Sequence, residues 1–154
     1  MVRKLHSDAT LPVRKTDGSA GYDLTCVEDV ELAGSGWTLV STGIAFTVPD
    51  GTYGQIAPRS GLSCKGCLVG AGVIDRDYTG EVKVLLFNMS ADPLVITKGD
   101  RVAQLILKRI ALSDVVEVDT LDATERGGGI REHGRLKRLK APMPLRAMFT
   151  ILLF

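Results

Sequence analysis

Gly72-Val73-Ile74-Asp75-Arg76-Asp77-Tyr78-Thr79-Gly80 is followed almost at once by the apolar run Val82 to Phe87. An apolar pair leads into charged residues and a ring, and Gly80 then opens a second apolar stretch. This is a hairpin pattern with two carboxylates and an aromatic at its tip. Strand signals of the same kind recur along the chain. They fall near Gly21–Cys26, Trp37–Ser41, Ile44–Val48, Thr52–Ile56, Val69–Ile74, Val82–Asn88, Leu94–Ile96, Arg101–Ile110 and Val115–Val118. Turn residues separate them at Asp17-Gly18, Gly34-Ser35-Gly36, Pro49-Asp50-Gly51, Asp92-Pro93 and Lys98-Gly99-Asp100. The spacing predicts an all-β fold, a sandwich or barrel, with at most one helical turn near Ser60 to Lys65. Val82 to Asn88 is nearly continuously apolar, which suits a strand covered on both sides. Many strand edges in one short chain call for pairing or closure, so an oligomer is expected.

At 154 residues and 16.5 kDa the chain is long enough to bury its own core. Apolar content of 45% with 24% charged residues is globular. The formal net charge of +1 argues against a dedicated nucleic-acid binder, yet it hides an asymmetry. Residues 1–130 carry 13 basic and 17 acidic side chains, whereas residues 131–154 carry 6 basic and 1 acidic. That change of sign marks a different kind of segment at the C-terminal end. Cys26, Cys64 and Cys67 are too few and odd in number for a disulfide framework. The Cys64/Cys67 pair has no second pair or nearby histidine to complete a zinc site. Arg3, Lys4 and Asp8 interrupt any signal-peptide run, and Ala147 to Phe154 is far shorter than the ~20 residues of a membrane span. The expectation is a soluble intracellular protein, cytoplasmic or nuclear, without a membrane span.

Three further stretches carry chemistry. Pro58-Arg59-Ser60-Gly61-Leu62-Ser63 offers a guanidinium, hydroxyls and exposed backbone N–H groups to phosphate, and it is equally the signature of a capped turn. Ala20-Gly21-Tyr22-Asp23-Leu24 sets one carboxylate on an apolar strand, which a buried, hydrogen-bonded Asp also explains. Gly99-Asp100-Arg101-Val102-Ala103-Gln104-Leu105 gathers Asp, Arg and Gln around a strand start. Pairing of those charges with Arg59 or Asp77 is the structural alternative.

Taken in order, these stretches resemble the five motifs of the trimeric deoxyuridine triphosphatase (dUTPase) family. They match at Ala20 to Leu24, Pro58 to Ser63, Gly72 to Val82, Gly99 to Leu105, and a fifth that begins at Arg126-Gly127. The likeness runs from about Leu5 to Gly129 and divides the chain into a β domain, 1–129, and a basic and apolar tail, 130–154. It implies a jelly-roll subunit and a homotrimer whose three sites draw on all three chains. It also implies hydrolysis of dUTP to dUMP and pyrophosphate with Mg²⁺. Carried over by residue, Asp75 is the general base for the attacking water and Tyr78 packs under the deoxyribose. Backbone groups around Gly72 and Ile74 read the uracil edge. Arg59, Ser60, Gly61, Gln104 and Arg126 hold the phosphates, Asp23 faces the metal through water, and Asp100 supports Arg59. Fixed backbone donors and acceptors suit such a base reader, because cytosine reverses the pattern and mispaired polar groups can cost a wrong substrate ~10⁴-fold.

The fifth motif of the family continues Gly-Phe-Gly-Ser-Thr-Gly, supplying an aromatic lid and phosphate-binding hydroxyls. Here the chain reads Gly129-Ile130-Arg131-Glu132-His133-Gly134. Those six residues can be written GGG ATT CGG GAG CAC GGG, and reading from the second base gives Gly-Phe-Gly-Ser-Thr-Gly. The expectation is therefore a frameshifted tail from Ile130 to Phe154, and hydrolysis weakened by loss of the lid. An evolved basic tail for anionic surfaces is the competing account of the segment. A non-catalytic nucleotide-binding or regulatory trimer is the competing account of the function.

Overall fold

Val84, Leu86 and Asn88 are buried and alternate with Lys83, Leu85 and Phe87, the period of a strand with one face on a core. That pattern repeats through the computed structural model, which describes residues 1–128. Gly129 to Gly134 and the tail beyond lie outside the described residues. Met1–Asp114 form one compact unit, and the described residues from Val115 onward belong to a second.

The first unit is built of eleven strands and one helical turn: β1 (Val2–Lys4), β2 (Tyr22–Thr25), β3 (Val30–Leu32), β4 (Trp37–Ser41), β5 (Ile44–Phe46), β6 (Thr52–Ala57), α1 (Ser60–Ser63), β7 (Cys67–Gly70), β8 (Val73–Ile74), β9 (Lys83–Asn88), β10 (Leu94–Ile96) and β11 (Arg101–Arg109). A four-stranded sheet runs β2-β11-β6-β8 and a three-stranded sheet runs β4-β9-β7. The pairs β1-β5 and β10-β3 complete an all-β, jelly-roll-like unit in which these neighbours are antiparallel. Leu24, Leu32, Val40, Ile44, Val82, Val84, Leu86 and Val102 are almost fully enclosed between the layers. Each such side chain contributes about 1.5–3 kcal/mol by leaving water. Among the described residues Thr42 and Asn88 are polar and buried, and the Asn88 amide donates to the carbonyls of Leu32 (3.2 Å) and Asp92 (2.8 Å). Its Oδ1 accepts from the Ser90 N–H and hydroxyl, so the burial leaves nothing unpaired.

Three expectations need correction. The apolar stretch Val69–Ile74 is two strands, not one, because Ala71 (φ 53°) and Gly72 (φ 102°) turn the chain from the three-stranded sheet to the four-stranded one. For the same reason Gly72 to Gly80 does not form a hairpin with Val82 to Phe87. Its strand β8 pairs with β6 (Ile74 opposite Gly54), whereas β9 pairs with β4 and β7. Val115–Val118 forms no strand. Its β-branched residues favour one, but no partner among the described residues satisfies its backbone, and Val115 is 99% exposed. The second face of β9 is also only partly covered. Trp37, Leu39 and Leu68 lie exposed beside Phe87 and Leu85 on the adjoining strands.

Candidate active site

The turn after β8 projects its side chains into a cleft of about 540 Å³ lined by Leu39, Val73, Ile74, Asp75, Tyr78, Glu81 and Lys83. The Tyr78 N–H bonds back to the Asp75 carbonyl (3.2 Å), so the two side chains sit on one closed turn. Asp75 is exposed. The Tyr78 hydroxyl donates to the Glu81 carbonyl at 2.7 Å. Gly72 is buried at the foot of this turn, and its carbonyl accepts from the Ile56 N–H at 2.7 Å. A Cβ at Gly72 would lie 2.7 Å from the Ile56 carbonyl oxygen, so the close approach and the positive φ both require glycine.

Glu81 and Lys83 are cleft residues that the motifs did not single out for a role. The Glu81 carboxylate accepts from the Ser41 hydroxyl and from the Gly43 N–H (2.9 Å), and Lys83 Nζ stands 3.5 Å away. Burial raises its pKa, but the Ser41 and Gly43 hydrogen bonds and the Lys83 charge outweigh that and hold it below the ordinary Glu value. The available signal was the alternation of Glu81 and Lys83 about the apolar Val82 on the approach to β9, a spacing of two that brings side chains to one side of an extended chain.

The second group of expected residues assembles on the other side of β6. The register sets Gln104 opposite both Asp23 and Ala57, and Gln104 Nε2 donates to the Pro58 carbonyl at 2.9 Å. Asp23 is 14% exposed and receives Arg59 Nε on one oxygen (3.1 Å) and Arg101 NH1 on the other (3.0 Å). Arg59 NH1 also donates to the Arg101 carbonyl at 3.1 Å, which closes the set. Asp23 is thus the carboxylate that holds Arg59. Asp100, expected in that role, instead accepts from the Thr97 N–H and hydroxyl (both 2.9 Å). These hydrogen bonds lower the pKa of Asp100. Arg59, Gly61, Lys65, Asp100 and Arg101 border a second cleft of about 310 Å³, and Ser60 is exposed at its edge. No side chain caps the N-terminus of α1, and its four residues are a single turn. Attraction for an anion therefore rests on the arginines and Lys65, not on a helix dipole. Arg126 lies in the second unit, next to a turn in which the Gly127 N–H bonds to Thr124.

The resemblance also implies Mg²⁺ near Asp23. Among the described residues no group of three His, Cys, Asp or Glu side chains stands close enough to hold a metal. Both oxygens of Asp23 are already neutralised by arginine. The donor set does not fit a metal held by the protein alone. Mg²⁺ at nucleotide sites is usually held by one or two carboxylates together with substrate phosphates rather than by an all-protein cage.

The sequence model of the dUTPase family matches residues 7–134. A deoxyuridine 5'-triphosphate nucleotidohydrolase of Paramecium bursaria Chlorella virus 1 is 54% identical over 130 residues, covering 84% of this chain and 92% of the viral protein. The Saccharomyces cerevisiae enzyme of the same name is 54% identical over 125 residues, covering 80% of this chain and 85% of the yeast protein. Among solved structures, a mutant dUTPase of the staphylococcal phage 80α superposes with a TM-score of 0.81 at 25% identity, covering 87% of this chain and 97% of that one. A dUTPase of phage phi11 of S. aureus, described as coordinating a structural Mg(II) ion, superposes with a TM-score of 0.72 at 25% identity, covering 78% and 96%. With both clefts lined by residues of the matched motifs, and with identity above half across four-fifths of its length, the chain belongs to the dUTPase family.

Proposed function

We propose that this chain hydrolyses dUTP to dUMP and pyrophosphate, as a homotrimer whose sites are shared between subunits. The observation that carries the reading is the cleft in which Asp75 and Tyr78 stand together on one closed turn beside Ile74, in a chain of this family. Asp75 is the proposed general base, since an exposed carboxylate there can take a proton from a water directed at the α-phosphorus. Tyr78 is the proposed floor under the deoxyribose, and the backbone around Gly72 and Ile74 the proposed reader of the uracil edge. Arg59, Ser60, Gly61, Gln104 and Arg126 are the proposed phosphate ligands. Displacement at phosphorus needs charge neutralised more than it needs covalent help, and clustered guanidinium groups suit that need. Mg²⁺ is proposed as the substrate's own counter-ion. Asp23 then faces it through water, because both carboxylate oxygens are committed to arginines.

Sharing of sites is favoured by the layout of the chain. Ile74 pairs with Gly54 and Gln104 with Ala57, so the two groups meet β6 three residues apart, on the order of 10 Å. They line different clefts. The exposed apolar face of Trp37, Leu39 and Leu68 offers a surface that a second copy would cover.

The tail is the second element of the proposal. The family match ends at residue 134, the last of the six residues that spell the family's motif in a shifted frame. We read 130–154 as out-of-frame translation that removes the lid. The test measures pyrophosphate release from dUTP by this chain beside one rewritten after Gly128 to end Gly-Phe-Gly-Ser-Thr-Gly. Measurable but weak turnover, rising about 10-fold or more on restoration, is expected. Equal rates would overturn the role of the lid, and no release by either chain would overturn the hydrolase. Coding DNA unable to spell the motif in another frame would rule out the frameshift.

A further inference from the structure

The Tyr78 ring does not lie free in its cleft. It folds back over Gly80, where a Cβ would stand 2.7 Å from the hydroxyl and 2.8 Å from the carbon bearing it. The hydroxyl rests on the Glu81 carbonyl at 2.7 Å. That carbonyl belongs to the same peptide plane as the Val82 N–H, which donates to the Ile44 carbonyl at 2.8 Å on the opposite side. One hydrogen bond leaves a peptide plane free to swing about it. The other end of the plane is held by the Glu81 side chain, which takes the Ser41 hydroxyl and the Gly43 N–H from the β4–β5 turn. The Thr42 hydroxyl, in the same turn, bonds the Val82 carbonyl.

We propose that Glu81 is a positioning residue for sugar selection: its carboxylate, anchored on Ser41 and Gly43, fixes the carbonyl on which the Tyr78 hydroxyl rests and so sets how closely the ring approaches the sugar. The inference rests on the reading of Tyr78 as the floor under the deoxyribose. A 2'-hydroxyl adds a single oxygen to the ligand, so its exclusion depends on the ring holding its position to a fraction of an ångström. Local contacts at Tyr78 alone do not supply that rigidity, because the residue is 43% exposed and stands on a surface turn. The buttress from the β4–β5 turn does. An amide in place of the carboxylate retains the carbonyl oxygen that accepts both bonds and loses only the charge beside Lys83. Glu81→Gln should therefore behave as the parent does.

The test compares the affinities of non-hydrolysable α,β-imido analogues of dUTP and UTP for the parent chain, Glu81→Ala, Glu81→Gln and Ser41→Ala, with thermal melting of each. The expected result is a preference for the deoxy analogue in the parent, reduced about 10-fold in Glu81→Ala, partly reduced in Ser41→Ala and retained in Glu81→Gln. Should Glu81→Ala fail to fold, Ser41→Ala and Glu81→Gln decide the matter. An undiminished preference in the folded alanine variants overturns the proposal, as does a Glu81→Gln variant as unselective as Glu81→Ala. A parent chain that binds neither analogue overturns the underlying functional reading instead. One that binds both equally overturns the role of Tyr78.

Discussion

Asp75 follows the two-residue strand β8 and is followed by Arg76, whose guanidinium pairs with Asp50 at 3.0 Å across the surface. Its backbone is held by the turn to Tyr78 while its carboxylate stays in water, the combination a base acting on a water molecule requires. Asparagine at this position keeps the shape and cannot accept a proton. Asp75→Asn is expected to bind dUTP with near-parental affinity while turnover falls by about 10²-fold or more, read as a drop in kcat with KM little changed. Undiminished kcat would remove Asp75 as the base. At this scale the sequence carried much of the information, because Ile74, Asp75 and Tyr78 are neighbours along the chain and a short turn keeps neighbours together. The partners of Asp23 were not legible. Arg59 lies 36 positions downstream and Arg101 lies 78, and only the pairing of β2 and β6 with β11 brings the three together.

Between residue and fold, the strands that were easiest to read were the apolar runs set off by turn residues. Trp37–Ser41 and Leu94–Ile96 fall where the pattern places them, and the pattern at Arg101–Ile110 runs one residue past the observed β11. The exposed strand β1 carries no apolar alternation, and in β3 the charged Glu31 separates the two apolar residues, so neither left a signal. The break at Ala71 was hidden because an alanine at φ 53° looks like any other alanine in a sequence. Strand partners were likewise hidden, since adjacency in sequence suggested pairing of β8 with β9 where the sheets chose β6. β9 lies at the middle of its sheet, between β4 and β7, and Leu86 is 1% exposed there. Leu86→Ala should lower unfolding free energy by about 2–5 kcal/mol, measured as an earlier midpoint in denaturant with an unchanged slope. A loss below about 1 kcal/mol would mean that the two layers collapse onto the space left behind.

For the molecule as a whole, fold class was the most legible property, because glycine and proline punctuation at short intervals leaves no room for long helices. The covering of the outer face of β9 was not. A continuous apolar run announces burial on two sides without saying whose atoms provide the second. Trp37 at 68% exposure, together with Leu39 and Leu68, shows that the described residues of one copy do not provide them. The separation of the two clefts along β6 has a consequence for mixtures of defective chains. A copy lacking Asp75 still carries Arg59, and a copy lacking Arg59 still carries Asp75. If each site takes its base from one subunit and its phosphate arginine from another, Asp75→Asn and Arg59→Ala chains refolded together should regain activity that neither has alone. The recovered fraction should follow the statistics of random assembly as the mixing ratio is varied. Separately folded samples combined afterwards should stay inactive until subunits exchange. Activity that never reappears in co-refolded mixtures would place both groups of residues in a single subunit's site.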